Sequence, residues 1–433
     1  MVNLVHWATV FMRILYTVLF YLLVPFILLR LWWRGIKAPE YRRRWHERFA
    51  FYSQRYPNPV IWFHAVSVGE AESLFPLIKR LQHAYPQEHL LITTTTPTGS
   101  ARVKAVLQNT VSHVYLPYDL PDALHRFTRC FKPKLAVIME TEIWPNLYAH
   151  CGGQQIPLYL INARLSERSA RSYRSIPCLV HPALAQVKHI GTQTPEDAQR
   201  FAAIGARNPV TTMGNIKFDV EIAKDTSENG LQLKAGLFSG RFVWLLASTH
   251  KGEEALFLPL YRQLKEQIPE LLLLIAPRHP ERFEEVKQLS RQQQLDCVTR
   301  TSGMACKKGA DVYLLDTLGE LKLFYAAADV AFVGGSMVPT GGHNVLEAAA
   351  VGVPVLFGPY MANFKAIAAG ILKQDAAIQC LTLGSVRQTI LTLYADPAFR
   401  TALIAKGQAF VQANQGATTR VFDLLKAELA QTP

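Results

Sequence analysis

VIWFHAVSVGEAESLFPLIKRL, residues 60–81, changes period in the middle. Residues 60–66 form a short apolar run rich in β-branched and aromatic side chains, which reads as a buried strand. ESLFPLIKRL (72–81) places apolar residues at helical spacing. Ser67, Gly69 and Glu70 lie between the two. Ser67-Val-Gly-Glu70 matches the capping box, in which the serine accepts from the Glu70 amide and the carboxylate reaches back to the amide of Ser67. The same acid also lies past the carboxyl end of an expected parallel strand, where ligands of open α/β sheets bind. Spacing alone leaves Glu70 either a cap or a catalytic base.

The strand-to-helix pattern repeats outward. Strand-like runs recur at 89–95, 112–117, 134–140, 157–162, 187–193 and 209–214, with helical segments between them. Short apolar runs alternating with helices predict βαβ units and a parallel sheet. DVEIAKDTSENGLQLK (219–234) has few bulky apolar residues and reads as a linker. The pattern then restarts at 241–248, 271–277, 311–316, 329–335 and 353–359. The fold class is therefore α/β, with two doubly wound Rossmann-like domains and a cleft expected between them. The expected segments are 1–36, 37–218, a linker at 219–234, 235–410, and a C-terminal helical piece at 411–433 that packs back on the first domain.

A chain of 433 residues exceeds one ordinary core, in keeping with two domains. The six cysteines form no C-x-x-C and no zinc-ligand spacing, which suits a reducing compartment and no metal. Net charge is +13, and residues 30–55 hold eight basic residues (Arg55 among them) against two acids. Such a block fits a phosphate-rich partner or an anionic membrane surface. Just before it, residues 14–29 carry no charge. At 1.5 Å per residue they extend about 24 Å, against a hydrocarbon core of about 30 Å. Trp32 and Trp33 suit the headgroup layer, and no small-residue cleavage site follows. The expectation is an uncleaved N-terminal anchor helix, spanning or shallow, with the basic flank placing the remainder in the cytoplasm.

Several segments carry candidate chemistry. In GGHNVLEAAAVGVPVLFGP (341–359) two glycines precede a helix expected to start near His343. His343, Asn344 and Glu347 would then share one face, with Val345, Leu346, Ala349 and Ala350 toward the sheet. Arg278 and His279 follow a strand in LIAPRHPERF, where an arginine can pair with phosphate or carboxylate. Thr317 and Glu320 in DTLGEL form another capping-box spacing, and Gly319 allows close backbone approach. ASTHKGEE (247–254) and GGSMVPTGG (334–342) are further loops after strands, and the second matches neither G-x-G-x-x-G nor a P-loop. Glu140 and Glu142 leave a strand in IMETEIWPN. Lys217 in GNIKFD sits at the expected crossover, where it can neutralise charge on a leaving group.

HAVSVGE, METEIWPN, GNIKFD, APRHP, DTLGEL and GGHNVLE, in this order behind an N-terminal anchor, closely resemble the 3-deoxy-D-manno-octulosonic acid (Kdo) transferases of lipopolysaccharide biosynthesis. The resemblance covers essentially the whole chain. It implies the B-type glycosyltransferase fold and inverting, metal-independent transfer of Kdo from CMP-Kdo to the tetraacylated lipid A precursor, lipid IVA, at the cytoplasmic face of the inner membrane. It implies Glu70 as general base, with Glu140 or Glu142 and Lys217 assisting the transition state. Ser248, Pro277, Arg278, His279, Leu318, Gly319, Glu320, Gly341, Gly342, His343, Asn344, Val345, Leu346 and Glu347 fall in the CMP-contacting segments. Arg42, Arg43, Arg44 and Arg48 would meet the acceptor's phosphates while its acyl chains stay in the bilayer.

Other classes fit less of the chain. A sugar-nucleotide epimerase can share the fold but leaves the anchor and its arginines unexplained. A nucleic-acid binder fits the net charge, but the charge gathers beside the anchor and no nucleic-acid motif appears, so no nucleic-acid partner is expected. A non-catalytic lipid scaffold leaves the acids of the cleft without a role.

Overall fold

The computed structural model describes residues 2–53, 56, 58–223, 225–304, 306 and 309–431, with side chains from residue 7 onward. Arg55 of the basic block lies outside the described residues. The chain divides into two compact units, residues 1–219 with 415–433, and residues 220–414.

Unit 1 is built on a parallel sheet of seven strands among the described residues: β1 (Val60–His64), β2 (His89–Thr94), β3 (Ser112–Tyr115), β4 (Pro133–Met139), β5 (Leu158–Ala163), β6 (Val187–Thr192) and β7 (Val210–Thr212). Their order is β3-β2-β1-β4-β5-β6-β7. β1 pairs with both β2 and β4. The order reverses there, so the loops leaving β1 and β4 open at the switch point where such sheets bind ligands. Alternation along β1 explains the doubly covered sheet: Val60 and Trp62 enter the core on one face, Ile61 and Phe63 the core on the other.

Unit 2 repeats the plan with β8 (Phe242–Thr249), β9 (Leu271–Pro277), β10 (Cys297–Thr299), β11 (Val312–Leu314), β12 (Val330–Val333), β13 (Val355–Phe357) and β14 (Ile378–Gln379). The order β10-β11-β9-β8-β12-β13-β14 puts its switch point between β8 and β12. β10 and β14 are additions to the sequence reading. They are three and two residues long, at the two edges of the sheet, too short to show a period.

The segment expected as a linker is largely helical, Thr226–Leu237. A Cβ on Gly230 would come within 2.3 Å of Ala326, so this helix packs on glycine rather than on the bulky apolar side chains whose absence suggested a linker. Lys234 pairs with Asp329 at 2.6 Å. The C-terminal stretch also divides differently from expectation. Helix Pro397–Asn414 belongs to unit 2, and the chain re-enters unit 1 at Gln415. The last helix, Ala417–Leu429, lays Ala417, Val421, Phe422, Leu425 and Leu429 into the core beneath β1.

Asp219, the last residue of the first pass through unit 1, receives the returning chain. Its carboxylate accepts from the amides of Gly416 at 2.6 Å and Thr418 at 2.5 Å, supplying from a distance the cap that Gly416 cannot supply itself. Asp219→Ala is expected to cost unit 1 about 1 kcal/mol. The check is hydrogen exchange of the 417–429 amides, which should quicken by the matching factor of about five to ten while β8 and β9 are unaffected; unchanged exchange would refute the assignment.

The N-terminal helix, Val2–Lys37, runs against unit 1, where Phe20 and Val24 meet the core. The arginines that follow are largely engaged. Arg44 forks onto Glu47 at 2.6 and 2.8 Å and donates to Ser100 Oγ at 2.8 Å. Arg48 is buried and donates to the Thr95 carbonyl at 2.9 Å, and both guanidiniums lie over the Tyr115 ring. Arg42 covers Trp32, and Arg43 pairs with Glu40 at the surface.

Candidate active site

In unit 1, β1 ends and the helix Val68–Ala84 begins with Ser67 as its N-cap. The Glu70 amide donates to Ser67 Oγ at 3.3 Å. The return arm of the box differs from expectation. One Glu70 oxygen accepts from the Val66 amide at 2.8 Å and the other from the Ser67 hydroxyl at 2.9 Å. The carboxylate is therefore held by the amide one residue before the N-cap and by the N-cap hydroxyl, in place of the N-cap amide of a standard box. Burial and the neighbouring charge of Glu140 push its pKa up, and the two hydrogen bonds and Lys217 only partly oppose this. His64, at the end of β1, turns inward: its Nδ1 meets Thr93, and burial lowers its pKa to about 4.

Glu140 follows β4 in the left-handed conformation, φ 55°, an uncommon state for a residue with a side chain. Its carboxylate accepts from Arg164 Nε at 2.7 Å and lies 3.9 Å from Lys217 Nζ. Lys217 sits on a single 3₁₀ turn, Ile216–Phe218. That turn is pinned by Asn215, whose side chain accepts the Lys217 amide, and by Asn162, which accepts the Ile216 amide at 3.1 Å. Glu142 is different: no cation among the described residues pairs with it, and Trp144 Nε1 donates to it at 3.0 Å. Burial and then the charge of Glu70 raise its pKa to about 7. The two acids the sequence left interchangeable thus separate. Glu140 positions cations, whereas Glu142 holds or releases a proton near neutrality. Sequence spacing does not mark Arg164 or Asn162: an asparagine at the end of a strand and an arginine just after it carry no spacing signal.

In unit 2 the loops leaving β8 and β12 are joined by a residue the sequence reading passed over. Glu253 is fully buried and accepts four backbone amides: His250 (2.9 Å), Gly335 (2.7 Å), Ser336 (3.1 Å) and Met337 (2.9 Å). The glycine-rich loop at 334–337 therefore closes on a protein carboxylate, not on a ligand anion. Gly334 is required there, because a Cβ would stand 2.7 Å from the Ser248 carbonyl and 2.9 Å from Glu253. Beside it, Glu254 forks onto Arg282 at 2.8 and 2.9 Å in a buried pair that also takes the Thr249 hydroxyl. Two acids opening a helix look in sequence like ordinary dipole partners, which hid both roles.

Ser248 adopts φ 57°, turning the chain out of β8 toward His250. His250 and His343 stack with their Nε2 atoms 2.7 Å apart, which requires one proton between them. The ring of His279 stands edge-on to His250. Burial, then the charge of Arg278, lowers His343 to about 3, so this pair is neutral beside an exposed arginine. Arg278 and His279 follow Pro277 as expected, with the Arg278 amide bonded to the Thr249 carbonyl at 3.0 Å.

Two sequence expectations are corrected here. The helix after the paired glycines begins at Leu346, not near His343. His343 and Asn344 lie in the preceding turn, where Asn344 accepts the Leu346 amide at 3.1 Å, and so do not share a helical face with Glu347. Val345, Leu346, Ala348 and Ala349 are buried while Ala350 is not. Gly341 and Gly342, at φ 100° and 74°, make the turn that a side chain would strain. Second, Thr317 and Glu320 do not form a capping box. The threonine hydroxyl donates to the Glu320 carboxylate, which also grips Arg300 at 2.8 Å, and the helix starts after Glu320. Leu318 is exposed and Gly319 takes φ 88°.

The two sheets and their switch-point loops match a known architecture. The structure resembles Acinetobacter baumannii MurG with a TM-score of 0.55 at 14% identity, over 86% of this chain and 100% of that one. The class is the B-type glycosyltransferase fold. A family model described as 3-deoxy-D-manno-octulosonic-acid transferase (kdotransferase) matches residues 43–220. The 3-deoxy-D-manno-octulosonic acid transferase of Haemophilus influenzae is 37% identical over 421 residues, 96% of this chain and 99% of that protein. Its Bordetella pertussis counterpart is 36% identical over 96% and 99%. The chain belongs to the 3-deoxy-D-manno-octulosonic acid transferase family, and it is a glycosyltransferase that moves Kdo.

Proposed function

We propose that this enzyme transfers Kdo from CMP-Kdo to the tetraacylated lipid A precursor, lipid IVA, with inversion and without a metal, at the cytoplasmic face of the inner membrane. The observation that carries this reading is the Glu70 carboxylate at the unit 1 switch point, made more basic by burial and by the charge of Glu140. The acceptor hydroxyl attacks the anomeric carbon of Kdo as the bond from that carbon to the CMP phosphate oxygen breaks. The hydroxyl proton passes to Glu70, and CMP departs with the bonding pair. CMP is a good leaving group once its charge is met, so a single base suffices. The Glu140–Lys217–Arg164 set holds cations at the same switch point, and in unit 2 Arg278 with the neutral His250–His343 pair offers donors suited to a nucleotide's phosphate. The N-terminal helix and the exposed Arg42 and Arg43 suit an anionic membrane carrying a phosphorylated lipid acceptor.

The direct test is transfer by purified enzyme from CMP-Kdo to lipid IVA, with chelator present and absent; no product, or product only with added metal, would overturn the corresponding part. A pH profile tests the assignment of the base. Glu70 must be ionised to accept a proton, so kcat/KM should fall on acidification, with an apparent pKa above the usual carboxylate range. Repulsion between Glu70 and Glu142 is mutual, so the acid limb belongs to the coupled set, which Glu140, Lys217 and Arg164 also bias. Glu142→Gln removes one negative charge and should move that limb to lower pH. A limb that stays in place would detach Glu142 from the base.

A further inference from the structure

We infer that the N-terminal helix lies in the plane of the membrane, along one leaflet, and does not cross it. This rests on the membrane reading above and goes beyond it.

The middle of the apolar run is tied sideways to unit 1 by polar contacts. The Tyr16 hydroxyl donates to Asp119 at 2.9 Å, Thr17 and Asn146 bond each other at 2.9 and 3.1 Å, and the Tyr21 hydroxyl donates to Asp122 at 2.5 Å. Asp119 is buried and also accepts the amides of Asn146 and Leu147, so Tyr16 completes the cap of the helix Pro145–Gly153. Phe20 packs its ring against that of Tyr118, tilted by 53°, between these ties. In a spanning helix, residues 14–33 would fill the hydrocarbon, and these contacts would draw Asp119, Asp122 and Asn146 in with them. Carboxylates and amides there are costly.

The opposite face is laid out for a surface. Phe11, Ile14, Val18, Leu22, Phe26 and Leu29 are exposed at spacings of three and four, one unbroken stripe along the helix. A helix of 36 residues is about 54 Å long, far more than a bilayer core of about 30 Å requires. Arg13 and Arg30 flank the uncharged run and are exposed, and Arg34 and Lys37 continue the positive charge. An apolar stripe along one face, cations at its two ends and a folded unit tied by polar contacts to the other face suit a helix lying along an anionic leaflet. The occupant of this face is therefore lipid with anionic headgroups.

The test uses full-length enzyme in sealed inverted membrane vesicles and a membrane-impermeant maleimide, with wild type as the background for the native cysteines. Asn3→Cys reports the end of the helix and Gln87→Cys the body of unit 1. The inference expects both to label from the same side, with detergent adding nothing. It also expects a disulfide between Thr17→Cys and Asn146→Cys on mild oxidation in the intact vesicles. Labelling of Asn3→Cys only after detergent would overturn the in-plane arrangement while leaving membrane binding intact. If the double-cysteine variant does not fold, the Asn3→Cys result still decides. Enzyme recovered free of membranes, or paired with a second copy through this face, would overturn the membrane reading itself.

Discussion

Glu70→Gln should lower kcat by roughly 10²–10⁴-fold while the protein stays folded. Glu70 closes the first turn of the helix Val68–Ala84, and in the proposed reaction it also takes the acceptor's proton. Gln keeps one oxygen to accept from the Val66 amide or the Ser67 hydroxyl, so the loss of capping should be about 1 kcal/mol or less. It cannot take up a proton. Ser67→Ala makes the opposite trade, weakening the cap and sparing the carboxylate, and should lower Tm slightly with turnover largely kept. Kdo transfer, Tm and CMP binding measured on both variants decide the matter. Near-normal turnover by Glu70→Gln would leave Glu70 as a cap alone and send the search for the base to Glu142.

The largest expected effect on stability is at Arg282. Its guanidinium meets Glu254 in a pair with side chains 9% and 0% exposed, under the β8 turn that carries His250. Arg282→Met leaves the Glu254 carboxylate buried without its counter-ion, which should destabilise unit 2 by about 3–5 kcal/mol. Glu254→Leu combined with Arg282→Met removes both charges and should regain most of that loss, because a buried ion pair and an apolar pair of similar volume are often close in stability. Urea unfolding followed by hydrogen exchange at β8 and β9 measures both variants. A single variant within about 1 kcal/mol of wild type would mean that water reaches Glu254.

The uneven legibility of the sequence has physical causes. Strands such as β1, β4, β5, β8, β9 and β12 were readable because parallel strands covered on both faces are continuous apolar runs, as in VIWFHAV and LLLLIAP. β10 and β14 were not, since CVT and IQ are shorter than any period. The candidate base stood out because acid, serine and strand end lie within a few residues of one another. The partners that give the site its properties come from elsewhere in the chain: Arg164 reaches Glu140 across 24 positions, and Glu253 binds Met337 across 84. Such pairings are set by which strands the topology makes neighbours, and local spacing does not contain that. Residues 219–234 read as a linker because the helix Thr226–Leu237 packs on a glycine, and apolar periodicity is blind to close approach.

The return of the chain to Asp219 has a consequence for synthesis. Unit 2 is one continuous segment, but unit 1 is two pieces separated by it. On the ribosome the first 219 residues emerge first, yet Val421, Phe422 and Leu425, which complete the layer beneath β1, arrive about 10–40 s later at ordinary elongation rates. The unit made first is the unit finished last. Through that interval the nascent protein carries an open groove along one sheet and an uncovered apolar stripe on its N-terminal helix, two sticky surfaces that early arrival at a lipid leaflet would reduce to one.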